Sequence, residues 1–203
     1  MLDWIKNINR DYPDFWKVYL TRMEKKSVRY VVLSTETTGL DYKKDVILSI
    51  GAFAIENDSI HIGDSYEAVL LQYIYNHDNG LSNEFIIESK QPKLLEPKAI
   101  QEFVEYLGNA TLIGHRIDFD VEIINEALEK LHCGRLKNEA LDIEVMYRKW
   151  KELTGEKHFS LEELCNTFKM PLADKVSASE DAYTIGLLFL KLKSRLGIEK
   201  FQK

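Results

Sequence analysis

The chain reads as an α/β protein, a mixed sheet flanked by helices and preceded by a helical extension. Two observations carry this reading. Between Tyr30 and Leu71 three strand-like apolar runs follow one another across short polar turns, which is the pattern of an antiparallel meander. From Glu96 onward apolar residues recur instead at i, i+3, i+4 and i+7, with a short apolar stretch between segments, as when helices lead back to further strands. A chain of 203 residues with 45% hydrophobic content can bury one sizeable core. The expected division is therefore an extension over 1–28, one domain over 29–197 and a tail over 198–203.

In the extension, Pro13 suits a first helical position, and Phe15, Trp16, Tyr19, Leu20 and Met23 recur at helical spacing until Lys25-Lys26. Such a stripe is expected to pack on the back of the domain; a surface for a protein partner is the sharper alternative.

Tyr30 to Leu33 is an apolar run of the kind found in a buried central strand, continued by Ser34-Thr35-Glu36 and broken by Thr37-Thr38-Gly39. Because strand side chains alternate, Ser34 and Glu36 share a face, at the end of a strand where α/β folds tend to place chemistry. Asp41 to Lys44 is a polar loop, Val46 to Ile55 a second strand, Glu56-Asn57-Asp58 a turn, and Ile60 to Leu71 a third strand.

Residues 72–95 are poorly periodic. Glu96-Pro97 then opens a helix carrying Ile100, Phe103, Val104 and Leu107, and Gly108-Asn109 ends it. Thr111 to Ile113 reads as a short strand and the residues around Ile123, Ile124, Ala127, Leu128 and Leu131 as a helix. Leu141-Asp142-Ile143 begins a helical stretch from Glu144 to Leu153, and Ser160-Leu161-Glu162-Glu163 is a capping box with Ser160 as N-cap. His158 beside it reads as simply exposed. Val176 to Leu196 is the last helix, with Gly197 as its stop.

Composition narrows the function classes. A net charge of -6 supplies no global attraction to nucleic acid, although a local basic strip could. Cys133 and Cys165 lie far apart without ligand spacing, which argues against a zinc site and fits a reduced cytosolic setting. No apolar run reaches the roughly 18 residues of a membrane span, and no signal-peptide pattern opens the chain. A cytoplasmic protein without membrane association is expected.

Three segments share one resemblance. Ser34-Thr35-Glu36-Thr37-Thr38-Gly39, Gly114-His115-Arg116-Ile117-Asp118-Phe119-Asp120 and Asp181-Ala182 resemble the motifs Asp-x-Glu-Thr-x-Gly, Gly-His-Asn-x-x-Phe-Asp and His-x-x-x-x-Asp of the DnaQ-like (DEDDh) 3′-5′ exonucleases of the proofreading-subunit, DNA polymerase III epsilon type. Leu141-Asp142 resembles a further segment of that family whose Asp is supporting. The resemblance implies an RNase H-like fold from about Arg29 to Leu196, a nucleic-acid 3′ end of single-stranded DNA or RNA as substrate, and Mg²⁺ or Mn²⁺ as cofactor.

Carried over by motif, Glu36, Asp120 and Asp181 are the metal ligands, Ser34 stands at the position of a fourth carboxylate, and Val176 stands where the catalytic His belongs. Thr37, Thr38, Gly39, His115 and Arg116 fall at nucleic-acid-contacting positions, with Arg116 where Asn or His is usual. The 84–87 stretch, Glu84-Phe85-Ile86-Ile87, lacks the His and Gly of the segment that seats a terminal nucleotide in many relatives. His115 alone is as readily structural as functional, and Asp120 alone could simply favour a helix dipole. Two-metal cleavage needs carboxylates converging on two hard cations. Ser34 leaves three such groups and Val176 removes a general base, a role worth about 10²- to 10⁴-fold in rate. Weak or absent metal binding and weak or lost hydrolysis are the expectation, and a silent binding module is the alternative.

Overall fold

The structure is a computed structural model that describes residues 11–25, 27–72, 92–155, 157–171 and 177–198. Among them lie a six-stranded sheet of order β4-β3-β2-β1-β5-β6 and helices on both of its faces. The meander is present as read: β1 (Tyr30–Thr37) pairs antiparallel with β2 (Ile47–Glu56), which pairs antiparallel with β3 (Ser59–Leu71). On the other side of β1, β5 (Thr111–Gly114) and then β6 (Ala140–Asp142) add in parallel, each reached through a helix. This mixed arrangement is the RNase H-like fold of the exonucleases.

Alternation along β1 divides the core in two. Val31 and Leu33 pack on one face with α1 (Asp14–Met23), α2 (Glu96–Leu107) and α3 (Ile117–Lys130). Val32 packs on the other with α4 (Ile143–Trp150), α5 (Leu161–Thr167) and α6 (Ala178–Arg195). By the same alternation Thr35 belongs to the α3 face, and Ser34 and Glu36 to the α6 face.

Helix α1 is part of the first core. Trp16 and Tyr19 are 1% and 2% exposed and stack with ring centroids 4.5 Å apart. The buried Tyr19 hydroxyl donates to Asn138 Oδ1 at 2.7 Å and accepts from the Lys137 N–H at 2.7 Å. Pro13 is the N-cap and not the first helical residue, because its ψ of 147° is extended; its carbonyl accepts from the N–H groups of Trp16 and Lys17 at 3.0 and 3.1 Å and so starts the helix.

Two short strands depart from the sequence reading. β4 (Lys93–Leu95) lies in the stretch read as irregular and pairs parallel with β3, Val69 opposite Lys93. Leu141 and Asp142 belong to β6 where a helix start was read, because Ile113 and Gly114 offer them a parallel ladder. Tertiary pairing decides such three-residue strands, and local propensity does not. Helix α4 then ends at Trp150, short of Leu153, and Glu152 at φ 53° cannot continue it. The last helix starts at Ala178, its N-cap Ser177 accepting from the Glu180 N–H at 3.3 Å, and Gly197 at φ 64° follows its end.

Candidate active site

The C-terminal end of β1, the first turn of α3 and the first turn of α6 meet at one edge of the sheet, and they bring Glu36, Asp120 and Asp181 with them. Ser34 lies opposite Gly51 in the β1–β2 register, and Glu36 lies opposite Ser49, whose hydroxyl donates to Glu36 Oε2 at 3.3 Å. Gly51 lets α6 come down onto the sheet: a Cβ there would stand 2.3 Å from the Ser179 backbone nitrogen. Asp181 follows Ala178 by three positions and precedes Ile185 by four, so it lies beside the sheet-facing stripe of α6.

Asp120 is placed differently. It lies on the apolar stripe of α3 between Ile117 and Ile124, and it is 7% exposed. Its Oδ1 accepts from the Thr35 hydroxyl at 2.5 Å and from the Thr35 N–H at 3.0 Å. Burial pushes its carboxyl up to about 7; the two Thr35 hydrogen bonds pull it down, and the charges of Asp142 and Asp181 add to the rise. The carboxylate is thus fixed from the α3 side, while Ser34 and Glu36 face α6. Among the described residues no group of three or more His, Cys, Asp or Glu could hold a metal ion. Glu36, Asp120 and Asp181 share one end of the sheet, Asp120 held from the α3 side and Glu36 on the α6 side.

The Thr37-Thr38-Gly39 turn is tied to its own loop. The Thr37 hydroxyl donates to the Gly39 carbonyl at 2.6 Å, and the Thr38 hydroxyl donates to Asp45 Oδ1 at 2.8 Å while accepting from the Val46 N–H at 3.1 Å. A Cβ on Gly39 would stand 2.6 Å from the Asp45 carboxylate, so a larger residue there would push that side chain aside. His115 is turned inward, with its side chain 14% exposed and its Nε2 2.7 Å from the Phe159 carbonyl. Arg116, at φ 56°, keeps a half-exposed side chain 4.0 Å from Glu144 Oε2.

Three residues outside the motif reading, Thr35, Ser49 and Glu144, shape the site together with Asp142 of the Leu-Asp segment. Thr35 holds Asp120. Asp142 caps two helices, accepting from the Glu144 N–H at 2.7 Å and from the Ile117 N–H at 3.2 Å, which fits a supporting role beside Asp120. Ser49 holds Glu36. Glu144, its side chain 7% exposed, accepts from the Phe159 N–H at 3.3 Å and lies 3.2 Å from His158 Nδ1 and 4.0 Å from His115 Nε2. His158 is exposed as read, yet it has this partner. The residue types carried no signal for the roles of Thr35, Ser49 and Glu144, since each depends on a contact between distant segments. Val176 and the 84–87 stretch lie outside the described residues.

Comparison with known proteins finds relatives among DNA polymerase III proteins and a structural neighbour in exonuclease I. The chain is 28% identical over 173 residues to the PolC-type DNA polymerase III of Caldanaerobacter subterraneus subsp. tengcongensis, covering 82% of this chain and 12% of that protein. It is 25% identical over 170 residues to the DNA polymerase III epsilon subunit of Aquifex aeolicus, covering 82% and 81%. Exonuclease I of E. coli in complex with a dT13 oligonucleotide superposes with a TM-score of 0.66 at 14% identity, over 84% of this chain and 42% of that one, which is a likeness of fold. This chain therefore spans about an eighth of the polymerase and less than half of exonuclease I. Among the described residues no helix is long and apolar enough to cross a membrane. The exonuclease family model of RNase T type matches residues 31–189, from the first buried residue of β1 to the core of α6, and the chain belongs to that DnaQ-like exonuclease family.

Proposed function

We propose that this protein is a DnaQ-like 3′-5′ exonuclease homologue that engages single-stranded nucleic-acid 3′ ends and whose metal-dependent hydrolysis is weak or lost. The observation that carries the reading is the capture of Asp120 by Thr35 on the α3 face while a serine, Ser34, stands in the place of the fourth carboxylate. At about 4 Å a unit charge facing a divalent cation is worth roughly 8 kcal/mol gross at an effective dielectric of 20, so one missing carboxylate is enough to lower metal affinity by orders of magnitude. The neutral Ser34 hydroxyl can ligate a cation but cannot bridge two.

Nucleic acid as the ligand rests on family membership and on the neighbours: the exonuclease I complexes hold dT13 and dA16 oligonucleotides, and one is a zinc-bound form with single-stranded DNA. DNA is favoured over RNA, because the relatives are DNA polymerase III proteins. Glu36 and Asp181 are the groups that would hold a cation, Mg²⁺ or Mn²⁺, with Asp120 joining once a proton leaves it. A protein partner at the extension would meet the outer side of α1, where Val18 is half exposed, since Trp16 and Tyr19 are taken up by the core.

The test is a titration of the purified protein with Mn²⁺ followed by a nuclease assay on 3′-labelled oligonucleotides, with Glu36→Ala as control. Weak binding of a single ion and cleavage near background are expected. Tight binding of two ions with rapid cleavage that Glu36→Ala abolishes would overturn the reading.

A further inference from the structure

At the far end of α6 from Asp181 lies a groove of about 550 Å³ with an unusual charge pattern for an acidic protein. Trp150 and Phe168 line it and stack on each other, with ring centroids 5.1 Å apart and planes 22° from parallel. Lys169, Lys191 and Arg195 line it, all three are exposed, and no Asp or Glu does so. Among the described residues none of these three makes an ion pair, although the chain has 33 acidic residues for 27 basic ones. The Arg195 guanidinium rests instead 5.8 Å from the Trp150 ring centroid, and the neighbouring Lys151 ammonium 4.1 Å from it.

Unpaired cations beside aromatic side chains are the two parts of a site for single-stranded nucleic acid: the cations take phosphates, and an aromatic side chain takes a base regardless of sequence. An acidic peptide would use the cations and make no use of the aromatic side chains. The position agrees as well. Asp181 and Arg195 are 14 positions apart on one helix, which is roughly 21 Å along its axis and a span of several nucleotides.

We propose that this groove is a second binding site for single-stranded DNA, holding the part of the strand upstream of a 3′ end placed at the Glu36–Asp181 edge. The proposal rests on the nucleic-acid reading of that edge and adds to it a length dependence. A strand of about four nucleotides reaches only the edge, whereas one of about sixteen reaches both.

The experiment measures fluorescence anisotropy of 5′-labelled oligothymidylates of these two lengths, about four and about sixteen nucleotides, in a chelating buffer, with the parent and with Lys169→Ala/Lys191→Ala/Arg195→Ala. The three side chains are exposed, and a thermal melt verifies that the variant folds. The variant is expected to bind the long strand about tenfold more weakly, with a salt slope shallower by about 2, at roughly 0.7 per lost phosphate contact. Its affinity for the short strand should match the parent's.

Equal losses for both lengths would mean a general charge effect and would overturn the groove, as would a variant that binds the long strand like the parent; the edge reading survives either result. A parent that binds neither strand overturns both. Binding of an oligo-aspartate peptide at the groove, with the long strand indifferent to the substitutions, would assign it to an acidic protein partner and overturn the proposal.

Discussion

Thr35 and Asp120, 85 positions apart in the chain, are joined by two hydrogen bonds to the same carboxylate oxygen, 2.5 Å from the hydroxyl and 3.0 Å from the N–H. The pair sits where α3 meets β1, so a residue expected to serve a metal also fastens a helix to the central strand. Burial raises its carboxyl from 3.8 to about 7, so the folded chain holds a proton there that the unfolded chain releases above about pH 4. The resulting stabilisation is complete below the unfolded value and is lost as pH rises through 7. Asp120→Asn keeps an oxygen acceptor for Thr35 and carries no charge. It should therefore match the parent near pH 4 and exceed it by about 1–4 kcal/mol at pH 8 in urea unfolding. Asp181→Ala, which removes one of the charges that raise Asp120, should narrow that gap. A gap that does not change with pH would show that Asp120 is already ionised in the fold.

Tyr19→Phe tests whether the extension belongs to the domain. The hydroxyl lies between Asn138 and the Lys137 N–H, so its loss leaves two part-buried polar groups without their partner and should cost about 1–2 kcal/mol. Trp16→Ala should cost about 3–5 kcal/mol, since the indole is almost fully buried. Unfolding should stay a single transition in both variants. A separate early transition would mean that α1 docks without joining the core.

How far the sequence reveals this molecule depends on the range of the interaction involved. The apolar run of β1, the stripe of α1 and the capping box at Ser160 rest on neighbours in the chain, and their positions follow from residue order. Glu36, Asp120 and Asp181 are placed by motif at the ends of elements that the fold brings together. Thr35 is the unspecified position of the first motif, and alternation turns it away from Glu36. Only the approach of α3 gives it a partner. Glu144 looks like an ordinary first-turn acid, and only the return of the 157–159 segment buries it. The strands β4 and β6 carry too few residues for periodicity and exist because a neighbour offers hydrogen bonds.

Glu144 anchors that returning segment through the Phe159 N–H and His158, while His115 anchors it through the Phe159 carbonyl. Glu144→Ala leaves the part-buried Phe159 N–H without its acceptor and should destabilise the chain by about 1–3 kcal/mol. Amide exchange at Phe159 should accelerate well beyond that of the β1 amides. Unchanged protection at Phe159 would show that the His115 bond alone holds the segment.

The last prediction concerns restoration. Ser34→Asp places a carboxylate on the α6 face shared with Glu36, and Val176→His returns a base five positions before Asp181. Ser34 lies opposite Gly51, where the α6 backbone at Ser179 comes down onto the sheet, so a new carboxylate there stands near the first turn that carries Asp181. The double variant should gain Mn²⁺-dependent 3′-5′ cleavage of single-stranded oligonucleotides, by about 10²-fold or more over the parent, and each single change should do less because groups acting as a unit are not additive. A new carboxylate at the same end of the sheet as Asp120 also raises the cost of ionising it, so the added activity should require more alkaline conditions than metal binding alone would, with the rate rising through pH 7 and above. Relieving that cost by Thr35→Val should not help, because the two Thr35 hydrogen bonds favour the ionised form and their loss pushes Asp120 further up. A double variant that binds two Mn²⁺ ions yet cleaves nothing at any pH would place the defect in the path of the 3′ end and not in the ligand set. Cleavage by the unmodified protein at a comparable rate would make Ser34 a working member of the site.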